Sequence, residues 1–260
     1  MTTCAPPDIR SNAWLDYVSP NPTAPTRLFC FPYAGGSAAV YRGWHGGPLA
    51  ATEVCPVQMP GRERRNNERP FERMARLAKA VVEILPNEQP FAFFGHSLGA
   101  LLAFEVAREL RRQGRPMPFH LFVSGASAPQ LCPNRPPRFN LTRQNFIAEI
   151  RKLGGTPEEA LESDELLNLL LPMLRADFAV IDTYVYVNDA PLPCPITAFA
   201  GSKDEEVDQF DVTGWRAQTR SGFDLQVFPG DHFFLREFGQ RLREVIGSAM
   251  AFHDPARLSR

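Results

Sequence analysis

Short apolar runs alternate with amphipathic stretches along most of this chain, the pattern of strands buried on both faces and separated by helices. Strands are predicted at Thr26–Phe31, Val54–Met59, Gln89–Gly95, Phe119–Ser124, Cys194–Ala200 and Phe223–Phe228. Between the second and third, Phe71, Met74, Leu77, Ala78, Val81 and Leu85 recur at helical spacing, and Pro86 ends that helix. Leu98 to Gln113 reads as a helix with an apolar start and basic residues (Arg108, Arg111, Arg112) at its negative end, closed by Gly114. A last helix runs through Ala251. Strand, helix and strand in succession imply βαβ units, hence a mostly parallel central sheet flanked by helices, an α/β architecture.

The alternation breaks between Ala128 and about Ala190, where Pro129, Pro133, Pro136 and Pro137 cluster and short helical patterns follow. This segment reads as a helical insertion, a lid, in a single domain spanning 1–260. Thr156-Pro157-Glu158-Glu159 has the form of a capping box with proline at the first helical position. Leu166 to Leu174 is too apolar for an exposed helix face. Packing within the insertion and onto the main domain is the first reading. The second is that some of these side chains line an apolar chamber, where an acyl chain would gain about 0.8 kcal/mol per buried methylene.

Candidate chemistry gathers where strands end. Gly95-His96-Ser97-Leu98-Gly99 lies between a strand and a helix, the context in which G-x-S-x-G forms a nucleophile elbow. A serine hydroxyl is a weak nucleophile and needs a base, which in turn needs a carboxylate to hold its tautomer. His120 falls inside a strand, His253 is in the tail, His96 belongs to the turn, and His45 sits in an early loop. His232, on the loop after the last strand, is the preferred base. Asp204 follows the penultimate strand at the G-x-x-D spacing from Gly201 and is the preferred carboxylate over its neighbours Glu205 and Asp208. The order serine, acid, histidine is that expected of hydrolases with this elbow. Their oxyanion hole would combine the backbone N–H of Leu98 with one from the loop Pro32 to Ser37, Ala34 before Tyr33, although Gly35 and Gly36 there also suit an ordinary turn. Pro60-Gly61-Arg62-Glu63-Arg64-Arg65 reads first as a solvated loop and second as a contact for a phosphate-bearing or acidic partner.

Composition narrows the classes. With 44% hydrophobic and 22% charged residues and a formal net charge of −1, the chain is a globular protein without the basic footprint of a nucleic-acid binder. Met1 to Asp8 lacks the charge and apolar run of a secretory signal, and no stretch is long enough to span a membrane. Cys4, Cys30, Cys55, Cys132 and Cys194 are scattered without ligand spacing, which suits reduced thiols in the cytoplasm and argues against a metal site.

Phe31-Pro32-Tyr33-Ala34-Gly35-Gly36, Pro60-Gly61-Arg62-Glu63, Gly95-His96-Ser97-Leu98-Gly99-Ala100, Gly201-x-x-Asp204-x-x-Val207 and Gly230-Asp231-His232-Phe233-Phe234-Leu235 together resemble the type II thioesterases of polyketide and nonribosomal peptide assembly lines. Gly154-Gly155-Thr156-Pro157 and Leu174-Arg175-Ala176-Asp177-Phe178 also resemble that family's lid. The resemblance implies an α/β-hydrolase fold and an editing enzyme that frees acyl groups from the 4'-phosphopantetheine arm of acyl- or peptidyl-carrier proteins. It makes Ser97 the nucleophile, His232 the base and Asp204 its orienting acid, with the phosphopantetheine thioester as substrate and no cofactor. Asp231 stands where that family often has a second glycine. An esterase, an acyl-CoA or fatty-acyl-carrier thioesterase with the same triad, and a non-catalytic carrier-binding scaffold are the alternatives.

Overall fold

The computed structural model describes residues 13–15, 20–21, 23–85, 89–132 and 135–252. Met1 to Asp8 with Cys4, and Pro86, Pro133 and His253, lie outside the described residues. The six strands are β1 (Thr26–Phe31), β2 (Thr52–Pro56), β3 (Phe91–His96), β4 (Leu121–Ser124), β5 (Ile196–Gly201) and β6 (Phe223–Phe228). They form one sheet in the order β2-β1-β3-β4-β5-β6, parallel throughout. The helices are α1 (Met74–Ile84), α2 (Leu98–Arg112), α3 (Arg143–Leu153), α4 (Glu158–Glu162), α5 (Asp164–Asp182), α6 (Gln209–Thr213) and α7 (Gly239–Phe252).

Parallel strands must be covered on both faces, and alternate side chains divide accordingly. Phe29, Phe31, Phe93, Leu121 and Val123 pack under α1 and α2. Leu28, Cys30, Phe94, Phe122 and Phe199 face the other way, against Tyr41, Trp44 and the Leu242, Ile246 and Met250 stripe of α7. The strand order reverses between β1 and β3. At such a switch point the loops leaving two neighbouring strands diverge and open a crevice at their carboxyl ends. Those loops begin at Pro32 and Ser97.

Two local expectations are corrected. The second strand starts at Thr52 and stops at Pro56 rather than running from Val54 to Met59. Its polar first residues are tolerated because Glu53 meets Arg27 of β1 at 2.7 Å, while Val57 pairs with Leu15 outside the sheet. The capping box at Thr156 does not form, because Pro157 itself takes the extended cap position and α4 starts one residue later without a side-chain cap. Glu158 instead pairs with Arg151 of α3 at 2.8 Å.

Between β4 and β5 the chain builds α3, α4 and α5, which share a small core of Phe146, Ile150, Leu161, Leu167, Leu171 and Phe178. Packing is therefore the main role of the Leu166 to Leu174 run, although Leu166 and Leu169 face solvent. Pro172 lies within α5. Among the described residues no helix is long and apolar enough to cross a membrane.

Trp215, in the 3-10 turn after α6, is fully buried edge-on to Phe104 of α2 and donates from Nε1 to the Ala126 carbonyl at 2.8 Å. It ties the turn after α6 to α2 and to the loop after β4. Truncation leaves both a cavity and an unpaired carbonyl, so Trp215→Ala should cost about 3–5 kcal/mol, read from urea unfolding midpoints.

Candidate active site

The turn from β3 into α2 holds Ser97 at φ 55° and ψ −118°, a left-handed conformation that non-glycine residues avoid. Close packing imposes it. A Cβ on Gly95 would fall on the Gly99 carbonyl, and one on Gly99 would fall on the Phe31 carbonyl of β1. The two glycines thus let the strand, the helix and the neighbouring strand approach to backbone contact. The Ser97 N–H is tied to the Ser124 carbonyl at 2.8 Å, leaving its side chain at the positive end of α2.

His232 reaches the same region from the loop after β6. Its Nδ1 is bonded to Asp204 Oδ2 at 2.8 Å, and Asp204 Oδ1 accepts the N–H groups of Glu206 (2.9 Å) and Val207 (3.1 Å). Two backbone donors therefore fix the carboxylate, the carboxylate fixes the ring, and Nε2 is left for the cavity that Ser97 also lines. Glu205 and Asp208 are exposed, and Asp208 caps α6 through the Phe210 N–H. His45 is exposed, and His120 is buried on Thr197 in the sheet. Asp231 does not need to be glycine, because its carboxylate accepts the Phe233 N–H at 2.8 Å and closes the turn before His232. Among the described residues, neither the Ala34 nor the Leu98 N–H has a protein acceptor.

His96 has a larger part than the turn alone suggested. It is fully buried, its Nδ1 is bonded to Ser124 Oγ at 2.9 Å, and its ring lies 5.1 Å from that of His232. Burial first, and then the neighbouring His232, hold its proton affinity well below the usual 6.5 of histidine. A neutral ring beside the candidate base avoids a second positive charge there. The signal was a polar residue in an otherwise apolar strand.

The Gly61 to Arg65 turn overturns the solvated-loop reading for Arg62 and Arg65, which are buried. Arg62 forms two bonds to Asp177 of α5, at 3.0 and 2.7 Å. Arg65 pairs with Glu68, donates to the Gln58 carbonyl and covers the Trp14 ring, while Arg64 donates to the Leu15 carbonyl. All three guanidinium nitrogens of Arg62 and of Arg65 are taken up by the protein, which removes these two as an anion site, while Arg64 is exposed. Asp177 stands in a segment marked by the family resemblance, but its pairing with Arg62, 115 positions away, has no local signal.

A cavity of about 530 Å³ opens over Ser97 and His232. Tyr33, Ala34 and Leu98 line it from the sheet side, and Ile150, Leu153, Leu174 and Phe178 from α3 and α5. Arg135 and Arg138 also reach it, both paired with Glu206 at 2.8 and 3.5 Å, and Arg138 also with Asp182 at 3.4 Å. Burial pushes the Cys132 thiol in its wall up to about 11, so that sulfur stays protonated. Among the described residues no three of His, Cys, Asp or Glu converge as a metal-binding group.

A parallel sheet with a strained serine at its switch point and a carboxylate-held histidine opposite defines an α/β-hydrolase. Residues 26–252 match the thioesterase domain family, and the chain belongs to it. Among its relatives is the gramicidin S biosynthesis protein GrsT of Aneurinibacillus migulanus, 44% identical over 228 residues that cover 87% of this chain and 89% of GrsT. Among solved structures, RedJ, a thioesterase from the prodiginine biosynthetic pathway in Streptomyces coelicolor, superposes with a TM-score of 0.82 at 41% identity, covering 88% of this chain and 87% of RedJ. The type II thioesterase BorB from the borrelidin biosynthetic cluster also gives 0.82, at 35% identity over 93% of this chain and 97% of BorB. Homologues of this chain thus include type II thioesterases of nonribosomal peptide and polyketide pathways, as its motifs led one to expect.

Two predictions follow from this geometry. Gly99→Ala should lower activity by about 10²-fold, because even a 1 Å shift of the elbow misplaces Ser97, and initial rates on a thioester measure it. For His96 the unfolded chain binds a proton near pH 6.5 and the folded chain does not, so stability declines as pH falls below that value. Between about pH 7 and pH 5, His96→Gln should therefore lose stability less steeply than the unmodified protein, by up to about 1.4 kcal/mol per pH unit in urea unfolding.

Proposed function

We propose that this protein is an editing thioesterase that hydrolyses stalled or aberrant acyl groups from the phosphopantetheine arm of carrier proteins. The Asp204–His232 bond at 2.8 Å beside a strained Ser97 carries this reading, because it supplies an oriented base at a presented nucleophile. His232 Nε2 takes the Ser97 proton as Oγ attacks the thioester carbonyl carbon. The oxyanion is received by the N–H groups of Ala34 and Leu98. Collapse breaks the C–S bond, the arm leaves as a thiol after accepting the proton, and the acyl group stays on Ser97. Water then gives a proton to His232 and its oxygen to the acyl carbon, the C–O bond breaks, Ser97 regains its proton, and the acid departs. A thiolate is a good leaving group, so the demand on His232 as an acid is smaller in the first half than in amide cleavage. No cofactor takes part.

The inserted segment 128–190 serves as a lid, and the side chains it contributes to the cavity suit an apolar acyl chain. Membership among assembly-line thioesterases supports carrier-bound thioesters, in the cytoplasm, as the substrate class. The test is hydrolysis of one acyl group presented on a carrier protein, on coenzyme A and as a simple ester. Higher kcat/KM on the carrier is expected, and equal or lower values there would sink the editing role in favour of a general acyl thioesterase or esterase. Ser97→Ala should reduce kcat by about 10⁶-fold, measured by acid release under single turnover. Retention of the cellular effect by this variant would instead mark a scaffold.

A further inference from the structure

The loop that carries the Ala34 N–H has little support of its own. From Tyr33 to Ser37 its internal backbone bond is Gly36 N–H to the Tyr33 carbonyl at 2.9 Å, and Gly35 sits at φ 79°. The missing support comes from α5. Asp177 Oδ2 accepts the Gly35 N–H at 2.8 Å, which fixes the Ala34–Gly35 peptide plane. The same carboxylate is gripped by Arg62, whose Nη1 also donates to the Gly36 carbonyl at 2.7 Å and fixes the Gly36–Ser37 plane. Both side chains are almost wholly buried, 4% and 3% exposed. One turn earlier on α5, Leu174 lies so close to Gly35 that a Cβ there would clash at 2.6 Å. Below the loop, Gln58 accepts the Ala38 N–H and donates to the Arg62 carbonyl, and Glu63 accepts from Ser37.

A buried ion pair is a weak source of stability, and an apolar pair of similar volume often replaces it without loss. An apolar pair cannot, however, accept from Gly35 or donate to Gly36. We propose that Asp177 and Arg62 are positioning residues that aim the Ala34 N–H at the oxyanion, so that α5 of the inserted helices sets catalytic geometry as well as covering the cavity. This rests on the acyl-transfer reading of Ser97 given above.

The test uses the full chain, an acyl N-acetylcysteamine thioester as substrate, and the matching trifluoromethyl ketone, which adds to a serine as a tetrahedral oxyanion. The double variant Arg62→Met/Asp177→Leu removes both charges with little change of volume. It should remain folded by circular dichroism and lose about 10²-fold in kcat, the cost of a misplaced oxyanion donor, with KM within about threefold. The ketone's inhibition constant should rise by the same factor as kcat/KM falls, while affinity for the carboxylic acid product stays level. Asp177→Asn, which keeps an acceptor for Gly35 but loses the ion pair, should fall between, at about tenfold. A folded double variant that keeps its kcat, or loses kcat without weakening the ketone, overturns the proposal. Failure of the unmodified protein to hydrolyse the thioester would instead remove the Ser97 reading beneath it.

Discussion

Backbone contact at the elbow is the constraint on which the rest of this structure depends. Ser97 stays at φ 55° because the Gly95 and Gly99 positions bring β3, α2 and β1 within the reach of bare main chain. Side chains at either glycine would push the helix off the sheet and let the serine relax into an ordinary rotamer of the chain. The same approach sets the floor of the cavity, orients the first N–H of α2, and brings the His96 ring to 5.1 Å from that of His232. Strain of this kind persists only when its surroundings over-determine it. Here the fully buried strands on both sides do so.

Electrostatics around that elbow is arranged by burial more than by counting charges. His96 is kept neutral in the layer below the candidate base, while the Asp204 carboxylate accepts two backbone N–H groups. Tyr184, whose hydroxyl donates to Glu105, is likewise pushed well above its usual range by burial and by that carboxylate. The buried Arg62, Arg65 and Arg108 have each found a carboxylate partner, as a low-dielectric interior requires.

Much of this was legible in the sequence because the decisive features are local. Most of the strands follow from apolar runs and β6 from an alternating one, and the serine, aspartate and histidine each stand beside glycines at strand ends, which is where a parallel sheet collects its loops. What was not legible depends on distant partners. Arg62 and Arg65 look like surface charges until Asp177, Glu68 and Trp14 come to meet them. Thr52 and Glu53 look like a loop until Arg27 supplies the cross-strand charge. The failed box at Thr156 shows the limit of a motif whose proline can itself occupy the cap. Arg108 and Arg111 suit the negative end of a helix dipole, yet they also bind the carbonyls of Val187 and Ala190 and hold the chain returning from the insertion.

Pro172 gives α5 a mechanical character that its length conceals. Proline has no N–H to offer the Asn168 carbonyl four residues back, so the helix has one rung fewer at that point and bends there at lower cost. The segment beyond it carries Leu174, Asp177, Phe178 and Asp182, all engaged with the loops around the cavity or with Arg138. The segment before it carries Leu167 and Leu171, which belong to the small core shared with α3 and α4, a core that Leu174 and Phe178 also enter. One continuous helix thus lacks a rung between the residues it gives only to that core and those it also gives to the loops around the cavity.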